Sequence, residues 1–471
     1  MTGVTGPNVV WVTIDSIRAD RTTMGGHARD TTPNVQRIAD RPAGESFDSC
    51  IAQTRWTPAS TASILTGTHL STHQVGIQSP DVRRLPESLK TMPQLLSEVG
   101  YESLGIGTNQ YVCSATGMDR GFDRFMFPTL RNIHRTVGVR AVGDYLRNIR
   151  RYGPGLSTDV SLHNGSSMVT HAAERWLRST ARDGTPCFLY LHYNATHYPY
   201  TPPKHFLRPY AEETGQSVDE VIDTSQRVFK DVFGRVADGL DLSSAEMDAI
   251  KAAYDAELAY IDDLVGRLFD YVQDTVPGET VFVVTSDHGE TFGEYGWLGH
   301  HVLLTDELLH VPMVTHGLSG VSHASDGPVQ HVDFTRTILE QLGAGSPQLE
   351  GVNLTDQRRE YAFAQRGSRA SDREKLLDRN GSFDVSQYRW DALNSVHDGR
   401  FKLLTGEEGE ELFVLPGEEE DVAGCYPRVA RQLSEQLAAS GLTLPTDTGG
   451  DGDRMEVTPE MRDRLEQMGY L

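Results

Sequence analysis

At 471 residues the chain is long enough to bury a large core and to hold one large and one small domain. Its net charge of −23 and pI near 5.1 disfavour nucleic acid and anionic membrane as partners of the whole molecule. Four scattered cysteines without a C-x-x-C exclude a disulfide framework and a zinc finger.

Only six of the 43 basic residues are lysine, and acidity with so little lysine reads as a protein of a salt-loving cytoplasm or as an ordinary acidic enzyme with a GC-rich codon bias, the first being favoured. No basic segment followed by an apolar one opens the chain, and no apolar run approaches the ~18 residues that span a bilayer. The expectation is a soluble, cytoplasmic protein with no membrane span; its oligomeric state is not legible.

In chain order, the first predicted strand is Asn8–Ile14, which runs into Asp15. A short helix is predicted next, with Thr57 as its cap, Pro58 in its first turn and Gly67 at its end. A helix over 85–99 precedes a strand over 104–107 that leads to Thr108-Asn109. Residues 131–151 hold six arginines against one acid, Asp144, and read either as a recruiter of anionic partners or as a paired helix surface. A helix over 170–180 leads to a strand over 187–192 and on to His197. In a long helix over 245–273, Asp262 and Asp263 read as a solvated face. A strand over 281–286 ends on Asp287-His288-Gly289, and a helix over 334–342 follows.

After about residue 355 the texture becomes short strands (361–365, 389–396, 400–404, 411–415) with a helix over 426–439, an acidic linker over 446–453 and a last helix over 459–468. The fold class is therefore α/β, a large, mostly parallel sheet sandwiched by helices over 1–355, with a small C-terminal α+β subdomain over 356–471. Ligands of such sheets bind at the carboxyl ends of the strands. Asp15, Asn109, His197, Asp287 and His288 should therefore meet at one edge, and two carboxylates with imidazoles there suggest a divalent ion. Thr57, at a helix start, has a hydroxyl that a metal would activate as a nucleophile.

These segments resemble the sulfatase branch of the alkaline phosphatase superfamily. The resemblance is carried by Asn8–Asp20, by Trp56-Thr57-Pro58-Ala59-Ser60-Thr61-Ala62-Ser63-Ile64-Leu65-Thr66-Gly67, by His192–Pro203 and Thr285–Glu290, and by Leu298–Pro312 and Val396–Leu404. It implies the fold named above and puts Thr57 in the nucleophile position. The family converts a cysteine or serine there to formylglycine, which threonine cannot give, so no formylglycine is expected. Thr61 stands where the family has arginine, and Arg55 or Arg18 could compensate. Asp15-Ser16 and Asp287-His288 replace an Asp-Asp and an Asp-Asn pair, which shifts the expected ion from calcium towards manganese or zinc. One ion, held by Asp15, Asp287, His288 and Thr57, is favoured. The Asp159/His163 pair that would announce a second lies in a polar stretch without a strand.

The resemblance further assigns His197 and His300 to leaving-group or substrate chemistry, and Asn109, Thr61 and His301 to substrate binding; His192 reads as a strand residue. The expected activity is metal-dependent hydrolysis of a phosphate (di)ester, phosphonate or sulfate ester, of small-molecule or glycan type, through Thr57. The alternatives are a phospho-group transferase of the same fold and a catalytically silent binding module for an anionic glycan or partner.

Overall fold

Alternating apolar runs with helical segments between them should stack into a parallel sheet, and they do. The computed structural model describes residues 6–78, 82–128, 136–154, 165–181, 184–444, 453–458 and 461–462. Its strands in chain order begin with β1 (Asn8–Ile14), β2 (Gly44–Ser46), β3 (Ser49–Ile51), β4 (Glu102–Gly107) and β5 (Arg124–Met126). They continue with β6 (Cys187–Tyr193), β7 (Thr280–Ser286), β8 (His310–Val311) and β9 (Met313–His316). A seven-stranded sheet runs in the order β2-β9-β7-β1-β6-β4-β5, with β1 central and parallel to both β6 and β7. Only β9 runs against its neighbours, pairing antiparallel with β7 and β2.

Strand periodicity divides the core in two. Val10, Val12 and Ile14 of β1 face helices Ser166–Ala181 and Ser244–Thr275, with Leu189 and Leu191 of β6 beside them. Val9 and Trp11, with Phe188, Tyr190, Val281 and Val283, face the other way, towards helices Thr57–Thr66, Met92–Glu98 and His331–Gln341. The long helix Ser244–Thr275 begins with a capping box, Ser243 Oγ accepting from the Glu246 amide while Glu246 accepts from that of Ser243.

A three-stranded sheet, not anticipated from sequence, joins β3 to β8 and to β10 (Pro328–Val329). The small C-terminal sheet is antiparallel, with β11 (Ala362–Arg366), β12 (Leu393–His397), β13 (Phe401–Gly406) and β14 (Gly409–Val414) in sequence order and helix Pro427–Ser440 against it.

Three expectations shift. The helix over 85–99 is confined to Met92–Glu98, because a capping box of Thr91 and Gln94 starts it there. The strand over 389–396 begins only at Leu393, because the Arg389 and Trp390 carbonyls are taken by the Arg366 guanidinium and the Arg369 amide. Asp262 is not on a solvated face: it is buried and accepts from the Asn34 and Val35 amides at the start of helix Pro33–Ala39. Asp263 accepts from Arg151, and Arg147 pairs with Asp144, so this part of the arginine-rich segment is a paired helix surface. Arg131, Arg135, Asp159 and His163, the linker over 446–452 and nearly all of the last predicted helix lie outside the described residues.

Candidate active site

The register of the sheet builds the site. Thr13 of β1 is level with His192 of β6 and Thr285 of β7, and the outward phase of Val9 and Trp11 continues to Asp15. The same phase carries Phe188 and Tyr190 to His192, and Val281 and Val283 to Asp287. Asp15, His192 and Asp287 therefore converge on the face covered by the Thr57 helix. Their ligand atoms all lie within 4.8 Å of one another, and all three residues are buried.

Thr57 is the first residue of its helix, not the cap. Trp56 holds the cap position in extended backbone, so the Thr57 side chain is released from capping and turns to the site. Its Oγ1 donates to Asp15 Oδ2 at 3.2 Å and lies 3.3 Å from His288 Nε2. His288 Nδ1 donates to the Gly289 carbonyl at 2.8 Å, which leaves the Nε2 lone pair facing Asp15 and Asp287 at 3.6 and 3.7 Å. Asn109 clamps this corner: its amide donates to Asp15 Oδ2 and Asn194 Oδ1, both at 2.7 Å, and its own oxygen accepts from the Tyr111 amide.

The donor set fits a divalent ion. His192 Nε2 and Asp287 Oδ2 are buried without a hydrogen-bond partner, and two carboxylates in one dry site oppose each other. Burial and the neighbouring Asp15 push Asp287 up. Burial works in the same direction on Asp15, but the His192 contact and the histidines around it outweigh this and hold it below the usual carboxylate range. Two carboxylates with imidazole nitrogens are a mixed oxygen and nitrogen set. Sequence reasoning missed His192; the signal was its alternation with Tyr190 and Phe188.

Four histidines line the opposite wall. The His288 and His300 rings are 4.4 Å apart, His300 and His197 meet edge-on at 5.0 Å, and His301 stacks on His300 at 5.8 Å. His300 Nδ1 contacts the buried Glu290 carboxyl at 3.1 Å, His197 Nδ1 donates to the Tyr198 carbonyl at 2.7 Å, and His301 Nε2 meets the Tyr198 hydroxyl at 2.7 Å. Burial holds all four imidazoles below the usual histidine range and pushes Glu290 well up. Thr61 is buried one turn along the helix from Thr57, beside Tyr190. Arg18 is committed to Asp20 and Glu294, each at 2.7 Å, whereas Arg55 reaches the His300 carbonyl. Of the two proposed stand-ins for the missing arginine, Arg55 is thus the one at the site.

A family model described as Sulfatase matches residues 7–344. The chain belongs to the sulfatase family. This sulfatase-family chain is 26% identical over 400 residues to the multifunctional alkaline phosphatase superfamily protein PehA of Trinickia caryophylli, covering 73% of this chain and 75% of that one. It is 24% identical to an N-acetylglucosamine-6-O-sulfatase of Bacteroides thetaiotaomicron, covering 74% and 70%. Among solved structures it resembles the phosphonate monoester hydrolase of Agrobacterium radiobacter, with a TM-score of 0.68, 21% identity, and 93% and 95% of the two chains covered. It is an ester hydrolase of the alkaline phosphatase superfamily, a metal-dependent family, and its buried Asp15, His192 and Asp287 are a group that could hold a metal ion. No helix among the described residues is long and apolar enough to cross a membrane.

Proposed function

We propose that the protein hydrolyses phosphodiester or phosphonate esters, with sulfate esters as the related alternative, by attack of Thr57 on the phosphorus or sulfur. The observation that carries this is the placement of the Thr57 hydroxyl, buried at 3.2 Å from Asp15 and 3.3 Å from His288, beside a metal-ligand cluster. Asp15, Asp287, His192, His288 and Thr57 are the residues that would hold the ion, which supplies Lewis-acid charge for the developing anion and lowers the hydroxyl pKa.

The residues do the rest. Asn109 fixes Asp15, and through it the Thr57 hydroxyl, in the attacking position. Thr57 Oγ passes its proton to the Asp15 carboxylate to which it donates and forms the new ester bond as the bond to the leaving oxygen breaks. His300, backed by Glu290, donates the proton that this oxygen needs, while His197, whose Nδ1 proton is committed to the Tyr198 carbonyl, lines the same wall. Water then attacks the threonyl ester and gives a proton back to the imidazole, while Asp15 returns its proton to Oγ and frees Thr57. Thr57 carries a methyl group on Cβ and cannot be converted to an aldehyde, which favours direct threonine chemistry over an aldehyde hydrate.

The test is paired turnover of an aryl sulfate, an aryl phosphate monoester, a bis-aryl phosphate diester and an aryl phosphonate, with manganese, zinc or calcium added singly in high potassium chloride. Turnover of the diester or phosphonate should fall at least about 10³-fold in Thr57→Ala, the scale of losing a nucleophile. Turnover of sulfate alone would reverse the preference. Turnover that survives Thr57→Ala would remove the nucleophile assignment.

A further inference from the structure

Two arginines of the C-terminal region are almost fully buried, and their surroundings differ. Arg366 gives its guanidinium to three carbonyls, those of Val302, Arg389 and Asp391, and so ties the small sheet to the loop after His301. Arg369, 1% exposed, has Nε and Nη1 buried with no hydrogen-bond partner and, among the described residues, no carboxylate at ion-pair distance, although the buried Asp372 carboxylate one turn along its helix acts on it. Its guanidinium lies over the Trp56 ring, 5.5 Å from the centroid, and Trp56 precedes Thr57. Stacking on indole is a modest attraction. Removing a guanidinium from water costs far more than such a stack returns unless an anion answers it. Asp372 and Trp56 offset part of the charge, but neither reaches Nε or Nη1 with a hydrogen bond.

The position of Arg369 is equally specific. It caps helix Ala370–Arg379 without using its side chain there, and that helix packs against Val232–Ala237. Lys375 of the same helix stands 5.2 Å over Phe233, whose ring is 5.0 Å from His301. Arg55 stacks on Trp56 as well, at 5.8 Å. His301 feels Arg55 first, then Lys375 and Arg369, and Tyr111 also feels Arg369; His288 and His300 feel Arg55. Through Lys375 and Phe233 the helix that Arg369 caps adjoins His301, which with His197 keeps a slight exposure (6% and 4%).

We propose that Arg369, with Arg55 and Lys375 around it, forms a second anion-binding subsite beside His301, so that the preferred substrate is an ester carrying an additional carboxylate, sulfate or phosphate on its leaving group. This rests on the ester-hydrolase reading of the Thr57 centre. A planar guanidinium suits such an oxyanion, because it offers parallel N–H donors. The charge lies in a dry site, so the preference persists in salt that screens surface charge.

The experiment compares equilibrium binding of phenylphosphonate with that of 3- and 4-carboxyphenylphosphonate, which have no ester bond to cleave, at constant ionic strength with manganese. At least one carboxylated probe should bind wild type tenfold or more tightly than phenylphosphonate. That ratio should fall to near one in Arg369→Gln, take an intermediate value in Arg369→Lys and persist in Thr57→Ala. Equal binding of all probes by wild type, or a ratio unchanged in Arg369→Gln, overturns the subsite. If Arg369→Gln does not fold, Arg369→Lys decides, and an undiminished ratio there rejects guanidinium recognition. A high ratio without turnover of any ester would keep the anion subsite and reject the hydrolase reading. Turnover with a ratio of one would do the reverse.

Discussion

Glu290 and His300 are buried together, and burial pushes the carboxyl up and the imidazole down, which holds the pair in its uncharged form with a proton shared across 3.1 Å. A proton held this way is available to a leaving oxygen once substrate charge arrives, which makes Glu290 a positioning residue acting through His300. Glu290→Gln keeps a hydrogen-bonding partner for Nδ1 but cannot take a proton. The expected result is a fall in kcat of about 10–100-fold, part of the span usual for acid-base catalysis, with KM little changed. The pH profile should lose its alkaline limb, which a merely structural role would not move. A wild-type profile with unaltered kcat would remove the pair from the chemistry. Asp15, Asn109 and Asp287 were legible because each closes or follows a predicted strand; His192 was not, because a histidine inside an apolar strand shows its face only once the register with Thr13 and Thr285 is known. Arg369 was invisible for the same reason: nothing local in the sequence says that it lies over Trp56.

At the scale of elements, the C-terminal sheet holds the loop that presents His300 and His301. Lys402 of β13 is wholly buried, donates to Glu418 at 2.6 Å and to the Leu304 carbonyl, while Glu418 accepts from the Asp306 amide at 2.7 Å. Burial raises the Glu418 carboxyl to about 6, with Lys402 pulling against it. Breaking such a pair from one side leaves a buried charge and costs about 3–5 kcal/mol, whereas removing both partners costs far less. Lys402→Met should therefore lower the stability measured by urea unfolding by that amount, and Lys402→Met with Glu418→Leu should recover most of it. Simple additivity of the two single variants would show that the pair is not coupled. The C-terminal strands themselves were readable from their turn spacing, but this tie was not, since it joins residues about a hundred positions apart.

Across the whole molecule, the doubly covered sheet was legible from four apolar runs and the helices between them. The three-stranded sheet was not, because β8 and β10 are two residues each and carry no periodicity. The face of the sheet that bears the site is also the one with neutral buried histidines. His73 Nδ1 accepts from the Val75 amide at 3.0 Å and Nε2 meets Ser63 Oγ of the Thr57 helix at 3.0 Å. Burial lowers His73 and His69 to about 3 and His331 to about 4. A histidine depressed in the folded state takes up its proton more readily when unfolded, so unfolding gains protons as the pH falls. The stabilisation is complete above the unfolded value near 6.5 and is lost towards the folded values near 3 and 4. Each such histidine steepens the fall of stability by up to about 1.4 kcal/mol per pH unit in that window. His73→Gln should be less stable at pH 7, having lost the fit to Ser63 and Val75, yet should lose stability less steeply between pH 6.5 and 4, so that its urea midpoints converge on those of wild type in acid. Parallel curves would mean that His73 is not held neutral by the fold. Because Ser63 belongs to the helix that carries Thr57, the same acid window should see turnover and helix protection against hydrogen exchange decline together.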